Sequence, residues 1–402
     1  MRYEVAMKPR EWMELSERVV AHTYGRFPLI LVRGKGTRVW DMDGKEYLDF
    51  VSGLAVCNLG HCHPKVVKAI QEQAEKLIHV SNFYYIEPQI QLASLLCQHS
   101  FAGKIFFGNS GAEANEAAIK LARKYAKEKT KDGRYEIITF ERSFHGRTLA
   151  TLTATAQEKY HQGYAPLVPG FKYVPFNDFE AVTGAIDSKT CAVLIEPIQG
   201  EGGVNIASED YLRGLREICN EKGILLIFDE VQVGMGRTGR LFAYEHYGIE
   251  PDILTLAKSL AGGVPIGALL MKREVGEVFK PGDHASTFGG NPLATAAGVA
   301  SLTAILEEGM LDNCRQIGAY FQERLGDLKQ MFSFVQDVRG RGLILGMELR
   351  REGAPIVKEM MAKGILINCT MGNVLRFLPP LIVTREEVDR VIEALQETFK
   401  KL

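Results

Sequence analysis

Short apolar runs, each closed by a turn or a polar residue, recur through the middle of the chain. Ile224-Leu225-Leu226-Ile227-Phe228 ends on Asp229, and Ile253-Leu254-Thr255-Leu256-Ala257 ends on Lys258. Runs of this length lack the alternation of a half-exposed strand, so they predict strands buried on both faces. The pattern predicts strands over 104–108, 136–140, 191–196, 224–229, 253–257 and 266–271. Helical periods lie between several of them, notably 113–128 and 208–222. In the first, Ala114, Ala117, Ala118, Leu121, Ala122 and Tyr125 follow the i, i+3, i+4, i+7 spacing of one helix face. This βαβ rhythm predicts an α/β fold, a mostly parallel central sheet with helices on both faces.

The two ends read differently. Residues 31–50 predict a short antiparallel meander that turns at Asp43-Gly44. From Pro292 onward come two long helices, short strands at 343–349 and 374–378, and a closing helix near 385–401. The expected organisation is one smaller α+β domain built from both termini, residues 1–58 and 301–402, around a large domain at 59–300. No repeat, low-complexity segment or flexible linker interrupts it.

Composition narrows the function classes. Among 402 residues, 48 basic and 49 acidic side chains leave a formal charge of −1. That balance argues against nucleic acid or an anionic membrane as partner. No apolar run reaches the ~18 residues of a membrane span, and the first eight residues lack a secretory stretch. Seven cysteines without paired spacing read as reduced thiols of a cytoplasmic protein.

A carboxylate at the end of one buried parallel strand and an amine just after another converge on one crevice. Asp229 and Lys258 therefore suggest covalent chemistry on a carbonyl compound, since removal from water shifts a lysine toward its nucleophilic form. Asn109-Ser110-Gly111-Ala112-Glu113 opens a helix with the spacing of a capping box. A plain cap explains it, and so does a phosphate site at the helix N-terminus. In Phe144-His145-Gly146-Arg147 the aromatic suits a flat ring and the arginine a carboxylate. Two features read as decoys. Gly234-Met235-Gly236-Arg237-Thr238-Gly239 fits a dinucleotide fingerprint, but no helix opens at its third glycine. His61-Cys62-His63 is too tightly spaced for one zinc ion and lacks a second ligand pair.

Taken in order, Asn109 to Asn115, Ser143 to Arg147, Glu196-Pro197-Ile198-Gln199-Gly200-Glu201-Gly202-Gly203, Asp229-Glu230-Val231-Gln232, Lys258, and Ser286-Thr287-Phe288-Gly289-Gly290-Asn291-Pro292 resemble the class III (subgroup II) aminotransferases. These enzymes use pyridoxal 5′-phosphate on a fold-type I scaffold. Gly53-Leu54-Ala55-Val56, Leu375-Arg376-Phe377-Leu378-Pro379-Pro380 and residues 234–239 are most similar to the branch that acts on N-acetylornithine in arginine biosynthesis.

The resemblance implies roles. Lys258 would hold the cofactor as a Schiff base and later shuttle a proton. Asp229 would pair with the pyridine nitrogen, and Phe144 would stack on the ring. Ser110, Gly111 and Ala112 would bind the phosphate, with Thr287 added from the second subunit of a homodimer. Gln232, with Val231 nearby, would contact the ring's 3-oxygen. Arg147 would bind the α-carboxylate of N-acetylornithine, and Arg376 that of 2-oxoglutarate or glutamate. Glu201 would cover Arg376 while the ω-amino donor is bound, and Ser286 would touch substrate across the dimer. Leu54 stands where ornithine aminotransferases carry a tyrosine, which favours an acylated nitrogen.

The implied reaction moves the δ-amino group of N-acetylornithine to 2-oxoglutarate by a ping-pong route. The same chemistry on N-succinyldiaminopimelate, ornithine, 4-aminobutyrate or a carrier-linked lysine is the nearest alternative. A pyridoxal-phosphate mutase or racemase, or a nicotinamide-dependent oxidoreductase, is more distant.

Overall fold

The apolar runs of the middle of the chain assemble into one seven-stranded sheet. A computed structural model describes residues 7–131 and 133–402. The first six residues, where the small domain is expected to begin and which belong to the stretch without a secretory signal, lie outside the described residues. The strands are β1 (Lys104–Gly108), β2 (Glu136–Phe140), β3 (Phe171–Val174), β4 (Thr190–Ile195), β5 (Leu225–Asp229), β6 (Ile253–Leu256) and β7 (Gly267–Met271). Their order across the sheet is β1-β7-β6-β5-β4-β2-β3. Strands β4, β5 and β6 are buried at every position, as runs without alternation require.

All neighbours pair in parallel except β7, which runs antiparallel to both β6 and β1. Periodicity cannot show that reversal, because a strand covered on both faces looks the same in either direction. The edge strand β3, the seven-residue strand Val335–Arg341 and the short strands Ile365–Leu366 and Asn368–Thr370 also lack a clear apolar run.

Helix α1 (Gly111–Tyr125) packs its alanine face on the sheet, with Ala114, Ala117, Ala118, Leu121 and Ala122 fully buried. It begins two residues earlier than its periodicity suggests, and a π turn over Ala126–Thr130 continues it. A capping glycine, Gly223 with φ 61°, ends the helix Glu209–Lys222 just before β5.

Both chain ends meet in one small sheet. Leu31–Lys35, Arg38–Asp41 and Glu46–Asp49 form the antiparallel meander, and Ile365–Leu366 joins it in parallel beside Leu48 and Asp49. Gly44, at φ 85°, makes the turn, while Asp41 accepts from the Asp43 and Lys45 amides. A further antiparallel sheet contains Val335–Arg341, Ile344–Leu349, Val374–Phe377 and Asn368–Thr370. It carries Arg376. No helix among the described residues is long and apolar enough to cross a membrane.

The glycine-rich loop at 234–239 is a structural clamp. It is a series of buried turns, and no helix opens at Gly239. Arg237, with no solvent exposure, donates to the carbonyl of Leu343 at 2.9 Å and also to Pro379 O and Asn58 Oδ1. Burial lowers its guanidinium to about 10. One cation therefore joins three distant stretches of chain.

Replacing Arg237 by Met leaves two carbonyls and an amide oxygen without a donor. Each such loss costs about 1–3 kcal/mol, so Arg237→Met is expected to lower the thermal unfolding midpoint clearly. An unchanged midpoint, or NAD binding by the wild-type protein that this variant loses, would contradict the clamp.

Candidate active site

Five segments bring polar side chains to the carboxyl ends of the central strands. Ser110 follows β1, Phe144 and Arg147 follow β2, and Glu196 follows β4. Asp229 closes β5, and Lys258 follows β6. A cavity of about 430 Å³ lies there, lined by ten of the residues expected at a site: Ser110, Gly111, Ala112, Phe144, Arg147, Glu201, Asp229, Val231, Gln232 and Lys258. Parallel sheets place ligands at this end because the loops leave the strands there.

At one wall, helix α1 points its N-terminus into the cavity. Ser110 Oγ accepts from the Glu113 amide at 3.1 Å, which leaves its hydroxyl proton free to donate. The reciprocal bond expected of Glu113 lands one residue earlier, on the Asn109 amide and side chain. The amides of Gly111 and Ala112 have no acceptor among the described residues. Gly111 is required by crowding, since a Cβ there would meet Val231 Cγ1 at 2.7 Å. Free amides at the positive end of a helix suit a phosphate.

Asp229 is 4% exposed, and three donors hold its carboxylate. Oδ2 accepts from Asn115 Nδ2 at 2.7 Å and His145 Nδ1 at 2.8 Å, and Oδ1 accepts from the Val231 amide at 3.0 Å. Asn115 also donates to His145 O and accepts from the Thr255 hydroxyl, both at 2.8 Å. Its amide thus ties α1, the loop after β2, β5 and β6 to one point. The other ring nitrogen of His145 is buried without a partner. Asp229 consequently faces the cavity as an oriented negative charge. Glu196 lines the same cavity and accepts from the Phe144 amide at 3.0 Å. Burial, then the charge of Asp229, pushes the Glu196 carboxyl well above the usual carboxylate range.

Lys258 sits at a strained point, with φ 45°, where β6 passes into the turn Lys258–Ala261. Strain of this kind concentrates where function fixes a side chain. Removal from water lowers its amine from the ordinary lysine value, against the opposing pull of Glu201 and Asp229.

A second network lies at the cavity edge. Arg376, with no exposure, donates through one terminal nitrogen to Glu201 Oε1 at 2.7 Å and to Gln232 Oε1 at 3.3 Å. Burial would push the Glu201 carboxyl up, but Arg376 holds it below the usual range. Gln232 also reaches Glu201 at 3.4 Å. The turn that carries Glu201 is pinned by the Thr370 hydroxyl on Glu201 O and by Arg339 on Gly203 O and Val204 O. Gly200 admits Gln232, whose Oε1 would lie 1.5 Å from a Cβ.

The remaining expected residues lie elsewhere in this chain. Leu54 borders a neighbouring cavity of about 830 Å³, on a turn where Ser52, Gly53, Leu54 and Ala55 all have φ between 44° and 64°. Ser286 accepts from Asn109 Nδ2 at 3.1 Å, and Thr287 is exposed. His61 and His63 go to separate carboxylates, Asp49 at 2.7 Å and Glu308 at 3.1 Å. Sequence reading gave no role to Asn115, His145 or Glu196. Asn115 had a visible signal, a polar residue next to a buried alanine face.

The cavity thus brings together unpaired amides at a helix N-terminus, a carboxylate held by three donors and a desolvated amine. The chain is similar to known proteins over almost its whole length. The family described as Aminotransferase class-III matches residues 19–399. The acetylornithine aminotransferase of Methanocaldococcus jannaschii is 55% identical over 98% of this chain and 100% of its own length. That of Caldanaerobacter subterraneus subsp. tengcongensis is 56% identical over 94% of this chain and 97% of its own. The crystal structure of the ornithine aminotransferase from Toxoplasma gondii ME49 superposes with a TM-score of 0.95 at 35% identity, covering 98% and 97% of the two chains.

Lys258 is expected to react with an aldehyde as a neutral amine at lower pH than an exposed lysine. Reductive trapping with an aldehyde and borohydride, mapped by mass spectrometry across pH, measures this. The label at 258 should rise in a lower pH range than labels on exposed lysines, and coincident profiles would contradict the desolvated amine.

Proposed function

Because the chain belongs to the class-III aminotransferases, we propose that it transfers the δ-amino group of N-acetylornithine to 2-oxoglutarate. The products are N-acetylglutamate 5-semialdehyde and glutamate, a step of arginine biosynthesis. The enzyme is a pyridoxal-phosphate-dependent transaminase. When bound, the cofactor supplies an aldehyde for the amino group and a ring that takes up electrons as the donor's Cδ–H bond breaks.

The chain's residues divide the work. Ser110, Gly111 and Ala112 hold the phosphate. Asp229 keeps a proton on the ring nitrogen, oriented by Asn115 and His145. Phe144 and Val231 confine the ring, and Gln232 reaches its 3-oxygen. Lys258 is the covalent attachment point, and its Nζ moves the proton that leaves the donor's Cδ. Arg147 receives the donor's α-carboxylate. Arg376 receives the α-carboxylate of 2-oxoglutarate or glutamate once Glu201 releases it.

One observation carries this reading. Of the two arginines at the site, Arg376 is masked by a carboxylate at 2.7 Å, while Arg147 has no ion-pair partner among the described residues. A masked and an open cation let one pocket serve an ω-amino donor and an α-amino donor in turn. The two curated relatives at 55% and 56% identity support N-acetylornithine as the donor. Leu54, apolar where ornithine aminotransferases carry a tyrosine, favours an acylated nitrogen over the free amine of ornithine by that resemblance.

The active unit in this reading is a homodimer, with Thr287 and Ser286 completing the partner's site. A surface beside them supports it. Phe83, Tyr84 and Tyr85 are 94%, 66% and 97% exposed, a contiguous aromatic run of the kind that marks an interaction surface. Asn82 joins that strip to the loop, donating to Ser286 O at 3.1 Å and Gly289 O at 2.9 Å.

Arg147→Ala should raise KM for N-acetylornithine about tenfold or more, the loss expected of a charge-assisted contact, and change KM for 2-oxoglutarate little. Equal losses would contradict the division between the arginines, and a faster reaction with ornithine would contradict the donor. Mixing inactive Lys258→Ala with inactive Thr287→Ala protein should restore activity through heterodimers that contain one intact site. No recovery in confirmed heterodimers would contradict the shared site.

A further inference from the structure

Arg147 has no carboxylate to hold it, yet it is held. Its guanidinium carbon lies 4.1 Å from the centroid of the Tyr160 ring and 5.5 Å from that of Phe144. The two rings meet edge to face, 5.8 Å apart at 79°. We propose that Tyr160 is a positioning residue for the donor, and that its ring holds Arg147 in place while leaving the arginine's charge free. This rests on the reading of Arg147 as the site of the donor's α-carboxylate.

The turn that carries Tyr160 is fixed from both sides. Just before it, Gln157 donates to Ser143 O at 2.9 Å and to Arg142 O at 3.3 Å, the stretch that leads into Phe144. Just after it, His161 Nε2 bonds Leu152 O at 3.0 Å and Thr155 O at 2.8 Å. The short helix Glu158–His161 is therefore anchored to the loop that carries Arg147, and Tyr160 cannot drift away from it.

The choice of an aromatic support has an electrostatic consequence. A carboxylate neutralises an arginine, and an incoming substrate carboxylate must then displace it. A ring attracts the cation without cancelling its charge. A ring beside the guanidinium also uses none of its N–H donors in a conventional hydrogen bond, so they remain available to a carboxylate. Lys159 Nζ lies 4.8 Å from the same ring and likewise has no ion-pair partner among the described residues. Arg376 has the opposite arrangement, with Glu201 as its counter-ion. The donor thus meets a charged and oriented arginine, whereas the acceptor must first open an ion pair.

The test compares Tyr160→Leu, Tyr160→Phe and Arg147→Ala by steady-state kinetics, and by calorimetric binding of N-acetylornithine in a Lys258→Ala background that cannot turn over. Tyr160→Leu should raise KM and the dissociation constant for N-acetylornithine about 3- to 10-fold, the range of a cation–π contact, with KM for 2-oxoglutarate within about twofold and kcat little altered. Tyr160→Phe should restore the donor values, because the ring acts and the hydroxyl does not. Should Tyr160→Leu fail to fold, Tyr160→Gln carries the same expectation. Equal rises for both substrates, or a Tyr160→Phe defect as large as that of Tyr160→Leu, would overturn the proposal. A donor defect in Arg147→Ala with none in Tyr160→Leu would overturn it and leave the arginine's role standing. No donor defect in either would overturn both.

Discussion

A carboxylate can stay charged inside a protein only where donors replace the water it has lost. Asp229 has three such donors, from Asn115, His145 and the Val231 amide. Each comes from a different part of the chain, so the charge exists only when α1, the loop after β2 and the end of β5 are assembled together. Asn115 reaches β6 as well through Thr255. The same assembly sets the unpaired amides at the start of α1 and the Lys258 turn after β6. A hydrogen bond to a charged group is worth about 1.5–3 kcal/mol, so loss of any donor exposes a buried charge and loosens the whole site. Burial and the charge of Asp229 together push the carboxyl of the neighbouring Glu196 well above the usual carboxylate range.

The two arginines extend the same logic to substrates. Both bind carboxylates in this account, and what separates them is the group that holds each one when substrate is absent. Glu201 and Gln232 hold Arg376 through polar atoms within a buried network, whereas aromatic faces hold Arg147 at the more open end. Fixing the first is costly to undo and selective. Fixing the second costs no charge. On the proposed reading, specificity follows from the electrostatics around one shared amine, that of Lys258.

Much of the fold was legible in the sequence because buried strands and the alanine face of α1 have strong periods. Lys258 and Asp229 were legible because each polar residue closes an apolar run. The reversal of β7 was hidden, since a fully buried strand carries no mark of direction. The edge strand β3 was hidden because its partly exposed residues give no run. At the site, the cradle and the arginines stood out only when the motifs were taken together. His145 and Glu196 were missed because their importance lies in contacts across 84 and 52 positions of chain. The loop 234–239 shows the reverse error that spacing invites. Its glycines serve close packing and its arginine holds distant backbone, which no fingerprint distinguishes from phosphate binding until the helix after it is found missing.

The central claim is that the Asp229 hub holds a proton on the ring nitrogen of the cofactor. Nitrogen-15 NMR of the protein loaded with pyridoxal phosphate labelled at that nitrogen measures this directly. The account predicts a protonated pyridine nitrogen in the wild-type protein across neutral pH, and an unprotonated one in Asp229→Asn, with the cofactor still bound in both. An unprotonated nitrogen in the wild-type protein, or a protonated one that persists in Asp229→Asn, would contradict it.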